Sequence, residues 1–193
     1  ELKIALSNNS QETRPINIED LLGRAETRFD KKELAPLINN KTILITGAGG
    51  TIGTELANQI SEMGPKNIVL SDYSEYALWN ITDKIMSKIN KINIFSILLD
   101  VRDKSSVNKV FKEHKPDIVL HAAALKHVPI CENHPLDAIK TNMLGTRNIS
   151  EKAIQYKTKI MVLISTDKAV DPTNFMGASK RAAEIYIQNL DRE

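Results

Sequence analysis

A single cysteine, Cys131, stands in 193 residues. It excludes a disulfide within the chain and a zinc centre built on several thiolates, and it suits a reducing compartment. Aromatic residues make up 5%, too few for a face that stacks nucleobases. Neither sign of charge dominates, since 26 Lys and Arg against 24 Asp and Glu leave a formal net charge of +2. Bulk electrostatics therefore draws neither nucleic acid nor an anionic membrane surface to the chain. No apolar run approaches the roughly 20 residues that span a bilayer, and no signal peptide is visible. The expected location is the cytoplasm, and no metal site is expected.

What the chain does contain is 41% hydrophobic and 26% charged residues. This is ordinary for a soluble globular protein, and the length allows one domain with a full core. The chain opens at Glu1 rather than at a methionine and reads as a piece of something longer. Residues 1–40 read as an arm or linker. Within it the polar run 8–12 suits a loop, and residues 18–24 suit one helical turn closed by Gly23. From Lys41 onward short apolar runs alternate with amphipathic stretches, which places the main domain at 41–193. Strands are expected at 42–46 (TILIT), 67–71 (NIVLS), 93–99, 117–121 (DIVLH) and 159–165 (KIMVLIS). Helices are expected at 51–63, 75–90, 104–114, 135–156 and 175–190. Runs apolar throughout suit strands buried on both faces of a parallel sheet, and the alternation requires right-handed βαβ crossovers. The fold class is thus α/β, a Rossmann doubly wound parallel sheet with helices on both faces.

The turn between the first strand and the next helix is Gly47-Ala48-Gly49-Gly50-Thr51-Ile52-Gly53. A glycine motif in that context is the signature of a dinucleotide site. Gly47 permits the tight turn, Gly50 lets the backbone approach a pyrophosphate, and Gly53 lets the helix pack close to the sheet. Gly49, Thr51 and Ile52 complete the turn, and the helix N-terminus offers free N–H groups to phosphates. The alternative is an ordinary strand-to-helix turn. A P-loop is excluded, because no Gly-Lys-Ser or Gly-Lys-Thr follows. Asp72 ends the second strand about 20 residues on, where an acidic side chain binds the adenosine ribose. A carboxylate there repels a 2′-phosphate, and no arginine is its neighbour, so NAD is favoured over NADP. The alternative for Asp72 is a helix cap. Asp100 and Val101 follow the third strand, where Asp can bond an adenine amine and the Val backbone can face the ring. His121-Ala122-Ala123-Ala124 ends the fourth strand, and the small Ala122, Ala123 and Ala124 let a cofactor pass close. The ligand crevice of such a sheet lies at the switch point between first and fourth strands. Lys126 and His127 then face it, a solvated loop histidine being the alternative for His127.

Ser165-Thr166-Asp167-Lys168 ends the fifth strand, presenting hydroxyls, a carboxylate and an amine together. An exposed ion pair between Asp167 and Lys168 is the bland alternative. Further on, Met176 and Lys180 are four apart and share one helix face.

The strings TGAGGTIG, DVRD, HAAALKHVP, KTNMLGT and STDKAVDPTNFMGASKR resemble the extended short-chain dehydrogenase/reductase superfamily. Within it they are similar to the long, membrane-associated nucleotide-sugar 4,6-dehydratases of bacterial capsule and glycan biosynthesis. The resemblance covers about residues 14 to 193, the arm RPINIEDLLGR included. The superfamily carries Tyr-x-x-x-Lys, in which lysine lowers the tyrosine pKa. Here Met176 holds the tyrosine place, as in the long dehydratases, while Lys180 remains. A thioether takes no proton at neutral pH, so the proton work passes to Thr166, Asp167 and Lys168.

The resemblance implies redox-neutral dehydration of a UDP-N-acetylhexosamine, such as UDP-N-acetylglucosamine, to a 4-keto-6-deoxy sugar with NAD as cofactor. It implies Lys168 as base at carbon 5, since an amine near a cation or an apolar wall can have a depressed pKa. Asp167 is then the acid for the departing hydroxyl. Thr166 bonds the 4-hydroxyl, and Lys180 bonds the nicotinamide ribose. Asn142 and Asn174, inside the matching strings, join Lys126 and His127 as substrate-facing residues. Family members continue for another hundred or so residues that supply most of the sugar-nucleotide pocket. On this expectation the 193-residue chain alone has little activity, and its uncovered sheet edge favours self-association. The longer protein is expected at the cytoplasmic face of the membrane. The competing readings are a nucleotide-sugar 4-epimerase, which wants tyrosine at 176, and a module that only binds.

Overall fold

The computed structural model describes residues 31–88 and 92–190. Helix α1 (Lys31–Ile38) precedes β1 (Thr42–Thr46), which is followed by α2 (Thr51–Ser61), β2 (Asn67–Asp72) and α3 (Glu75–Met86). Next come β3 (Asn93–Leu98), α4 (Lys104–His114) and β4 (Ile118–His121). Two short helices, α5 (Val128–Asn133) and α6 (Pro135–Ala138), lead into a π-helical segment, Ile139–Leu144, that runs on as α7 (Gly145–Gln155). β5 (Ile160–Leu163), a 3-10 turn (Asp167–Ala169) and α8 (Phe175–Leu190) complete the described residues.

The five strands form one parallel sheet in the order β3-β2-β1-β4-β5. Strand order reverses between β1 and β4, which pair directly through Ile43–Ile118 to Thr46–His121. Alternation along the strands divides the core into two layers. Ile43, Ile45, Ile68, Leu70, Ile118 and Leu120 face Ala57 and Ile60 of α2 and Leu78, Ile81 and Ile85 of α3. Leu44, Val69 and Val119 face Val107, Val110 and Phe111 of α4 and Ile149 and Ala153 of α7. Helices on both faces make this the doubly wound Rossmann architecture that the apolar runs implied.

The expectation of strands buried on both faces holds at β1, β2 and β4 and fails at the edges. Phe95 and Leu98 of β3 are exposed, as are Ile160 and Val162 of β5. An edge strand has a neighbour on one side only, so its outer side chains lack part of the helical cover. Between 25 and 40 no element was expected, yet α1 forms there and puts Ile38 into the first core layer. The helix is short and carries Pro36, which in sequence argues against a helix interior. The expected turn at 18–24 and the polar run at 8–12 lie outside the described residues. α5 was also not foreseen; its Pro129 stands in the first turn, where a missing N–H costs nothing. The stretch 135–156 is helical as expected, but a π-helical segment interrupts it. Single-turn π insertions of this kind recur at functional sites.

Candidate functional site

A cleft of about 370 Å³ opens at the carboxyl ends of the strands, over the switch point. Its floor is the glycine turn, with Gly47, Gly49 and Gly50 in the lining. Gly47 adopts a left-handed φ of +66°, and a Cβ there would lie 2.6 Å from the Ala123 amide nitrogen. Gly53 is needed for packing, because a Cβ would come 2.0 Å from the Gly47 carbonyl oxygen. Gly50 is different: only that same oxygen, at 3.3 Å, stands near its Cβ position. The space beside Gly50 is therefore open toward the cleft. Gly50 is also the N-cap of α2 and supplies no side-chain cap, so the first-turn amides remain for an anion. This cradle fits a pyrophosphate. Thr51 is exposed at the first position of the helix, and Ile52 is exposed toward a second cleft.

Asp72 lines the first cleft. Its Oδ2 accepts from the Gly49 amide at 2.9 Å and its Oδ1 from the Ser74 amide at 2.9 Å. The cap of α3 is Ser74, whose Oγ accepts from the Ala77 amide, so the helix-cap alternative for Asp72 falls. Asp100 and Val101 form the far wall with Arg102 and Tyr73. The Asp100 carboxylate holds the Arg102 guanidinium at 2.7 Å. That bond keeps its pKa below the usual carboxylate range. Arg102 also sits 5.5 Å from the centroid of the Tyr73 ring. The sequence placed no arginine beside Asp72; the fold brings Arg102 into the same cleft by returning the chain along β3. Ala122, Ala123 and Ala124 close the opposite wall.

A second cleft of about 250 Å³ shares Ala122, Ala124 and Leu125 with the first, so the two adjoin along that segment. Its remaining lining includes Lys126, Ser165, Thr166, Lys168, Met176 and Lys180. Lys180 is 5% exposed and donates to the Ile164 carbonyl. Burial pushes its pKa down. Met176 is buried with Cys131 and Ala138 in a small apolar cluster behind the cleft. The loop carrying Thr166 and Lys168 rests on α8 at Gly177, where a Cβ would lie 2.2 Å from the Lys168 carbonyl oxygen.

Several expected residues take other roles. Asp167 is 87% exposed in its side chain and lies 3.4 Å from the Lys168 amine. It accepts from the Thr166 hydroxyl at 2.9 Å, and this bond, with Lys168, lowers its pKa. An exposed carboxylate with a lowered pKa is a poor proton donor at neutral pH, so the acid role is not supported by this arrangement. Asn142 is fully buried. Its amide donates to the Leu125 carbonyl and to Ser179 Oγ, and its oxygen accepts from the Leu125 amide. It clasps the loop from behind instead of reaching a substrate. Asn174 caps α8, accepting from the Gly177 amide at 2.8 Å. His127 is exposed at the N-cap of α5 and lines neither cleft.

His121, read from sequence only as a strand end, is fully buried. Thr46 Oγ1 accepts from the Ala123 amide and donates to His121 Nδ1 at 2.6 Å. On the other side Thr146 donates to the Asn142 carbonyl at 2.6 Å and so accepts from His121 Nε2–H at 3.0 Å. Burial pushes the His121 pKa down to about 3, so the imidazole is neutral, and with its proton on Nε2 the Nδ1 is left to accept from Thr46. Reading along the chain missed Tyr73, Arg102, Thr141 and the contact at Gly177. The DVRD, KTNMLGT and MGASK strings carried a trace of Arg102, Thr141 and Gly177, and none carried Tyr73. Among the described residues no group of three or more His, Cys, Asp or Glu side chains is placed to hold a metal. No helix among them is long and apolar enough to cross a membrane.

Comparison with known proteins agrees with this geometry. The family described as "Polysaccharide biosynthesis protein" matches residues 43–193. The chain is 42% identical to capsular polysaccharide biosynthesis protein CapD of Staphylococcus aureus over 181 residues, 93% of this chain and 30% of that protein. It is 36% identical to UDP-glucose 4-epimerase of Rickettsia rickettsii over 149 residues, 75% of this chain and 42% of that one. Among solved structures it is similar to Pen from Bacillus thuringiensis, with 33% identity and a TM-score of 0.74 over 81% of this chain and 48% of the other. The chain thus spans less than half the length of each of these relatives.

Proposed function

We propose, from the premise that the chain belongs to the polysaccharide biosynthesis protein family, that it is the dinucleotide-holding and proton-transferring part of a nucleotide-sugar 4,6-dehydratase. The substrate is a UDP-N-acetylhexosamine such as UDP-N-acetylglucosamine, processed for a capsule or related glycan at the cytoplasmic face of the membrane. The observation that carries this reading is the second cleft. Thr166, Lys168 and Lys180 meet there, while Met176 stands where the wider superfamily has its proton-carrying tyrosine. A site without that phenol must move protons through other groups, and an amine is at hand.

The residues present fit NAD: the open space at Gly50 and the uncapped start of α2 suit its pyrophosphate, and Asp72 suits the ribose hydroxyls. When bound, NAD supplies the hydride acceptor for carbon 4 and the donor for carbon 6. Lys180 is assigned to the nicotinamide ribose, with hydrogens left after its bond to Ile164. Thr166 bonds the 4-hydroxyl and passes its proton on to solvent by way of the exposed Asp167 carboxylate, which accepts from the Thr166 hydroxyl at 2.9 Å. The resulting ketone acidifies carbon 5, and Lys168 takes that proton in its neutral amine form. The same proton goes to the hydroxyl that leaves carbon 6 as water, and carbon 5 regains a proton from solvent by way of Lys168 as the hydride reaches carbon 6. Asp167, ionised and paired with Lys168, orients the amine and is not assigned as the acid.

A second reading, nucleotide-sugar 4-epimerisation, is favoured by the relatives named UDP-glucose 4-epimerase and disfavoured by Met176. The test uses the full-length enzyme with UDP-N-acetylglucosamine and product analysis by NMR. A 4-keto-6-deoxy product is expected. Lys168→Met is expected to lower dehydration by roughly 10² to 10⁴, the range of a general base. Undiminished turnover in that variant would sink the base assignment, and a 4-epimer that keeps its 6-hydroxyl would sink dehydration.

A further inference from the structure

The two walls of the first cleft leave different strands, residues 99–102 after β3 and residues 122–125 after β4. One helical run holds both from behind. Asn142 in the π-helical segment clasps Leu125. Thr146 supports His121. Asn148, two residues later, turns to the other wall: its Nδ2 donates to the Val101 carbonyl at 3.0 Å and to the Arg102 carbonyl at 3.1 Å.

Asn148 is 9% exposed and lines neither cleft, so it touches nothing that binds there. The segment it grips carries the Val101 backbone and the Asp100–Arg102 pair of the adenosine wall. That segment lies beyond the last ladder position of β3, where no strand bond fixes it. Close approach is allowed by Gly145, where a Cβ would meet Val101 Cγ2 at 2.7 Å.

We propose that Asn148 is a positioning residue for the dinucleotide, setting the Val101–Arg102 backbone and with it the adenosine end of the cleft. This rests on the NAD reading above. Loss of its two bonds leaves two carbonyls without their donor, and the wall relaxes away from the ligand. The effect is specific to binding, because the residues of the second cleft are held by Asn142, Gly177 and α8 instead.

The experiment compares the full-length wild type with Asn148→Leu, which keeps the volume and loses both donors. AMP and NAD are titrated, and turnover is measured at saturating NAD. Both dissociation constants are expected to rise together by about tenfold, with kcat near that of wild type. A residue that merely supported the fold would not move binding and leave kcat. Asn148→Ser, a smaller change, replaces the leucine variant if that one does not fold, with the same direction expected. Unchanged AMP and NAD affinity in a folded variant overturns the proposal. So does a kcat that falls as far as affinity, and so does failure of both variants to fold. A wild type that binds neither NAD nor AMP overturns the cofactor reading and this proposal with it. Normal wild-type binding together with normal variant binding removes this proposal alone.

Discussion

Replacing Gly177 by alanine tests whether the loop with Thr166 and Lys168 is placed by its contact with α8. The new Cβ would lie 2.2 Å from the Lys168 carbonyl oxygen, 3.1 Å from its carbonyl carbon and 3.2 Å from Pro172 Cβ. An ordinary carbon–oxygen contact is about 3.3 Å, so one partner must retreat by roughly 1 Å. The obstructing atoms are backbone and cannot swing aside as a side chain would. α8 is the stiffer partner: its first turn is tied down by Glu132 Oε1, which accepts from the Phe175 amide at 2.7 Å, and by the Asn174 cap. The exposed 3-10 turn therefore moves, and Lys168 with it. Overpacking of this kind costs about 1–3 kcal/mol of stability. A shift of about 1 Å in a reacting group costs about 10²-fold in rate. The expected pattern is a modest fall in melting temperature, a fall of about 100-fold in turnover of the proposed dehydration, and unaltered NAD affinity. The last follows because Gly177 lines neither cleft. Thermal unfolding, NAD titration and single-turnover kinetics on the full-length enzyme read the three quantities. A folded Gly177→Ala enzyme with wild-type turnover would refute the reasoning.

Two further outcomes are expected. His121 is neutral in the folded protein, with a pKa lowered from 6.5 to about 3, so below pH 6.5 the unfolded chain binds a proton that the folded one refuses. The stability it contributes is whole above pH 6.5 and is lost as pH falls toward 3, at up to ~1.4 kcal/mol per pH unit. NMR of the imidazole checks this, and a His121 resonance titrating near 6.5 in the folded protein contradicts it. Asp72 should make wild type bind NAD more tightly than NADP, and Asp72→Asn should narrow that preference. Calorimetric titration decides, and tighter NADP binding by wild type would overturn the assignment.

Much of the fold was legible because strand and helix signals are local. TILIT, NIVLS and DIVLH are continuous apolar runs of strand length, and each became a buried central strand. The glycine turn was legible for the same reason, since its context is a single strand and a single helix. The site was harder to read. Asp167 stands next to Lys168 in sequence, but solvent exposure governs its proton affinity, and no residue string encodes exposure. Asn142 and Asn174 lie within strings that suggest substrate contact. Their amides are used by backbone groups that only the folded chain brings near.

Sequence alone determined the order of the five strands, the glycine turn and the methionine at position 176. Each depends on residue type and on neighbours a few positions away. The tertiary structure decided which groups share a cleft. It brought Arg102 into the cleft that Asp72 lines, buried His121 in a neutral state between Thr46 and Thr146, and set the Lys168 loop against Gly177. Those outcomes depend on packing and desolvation between segments far apart in the chain, and such terms have no local signature.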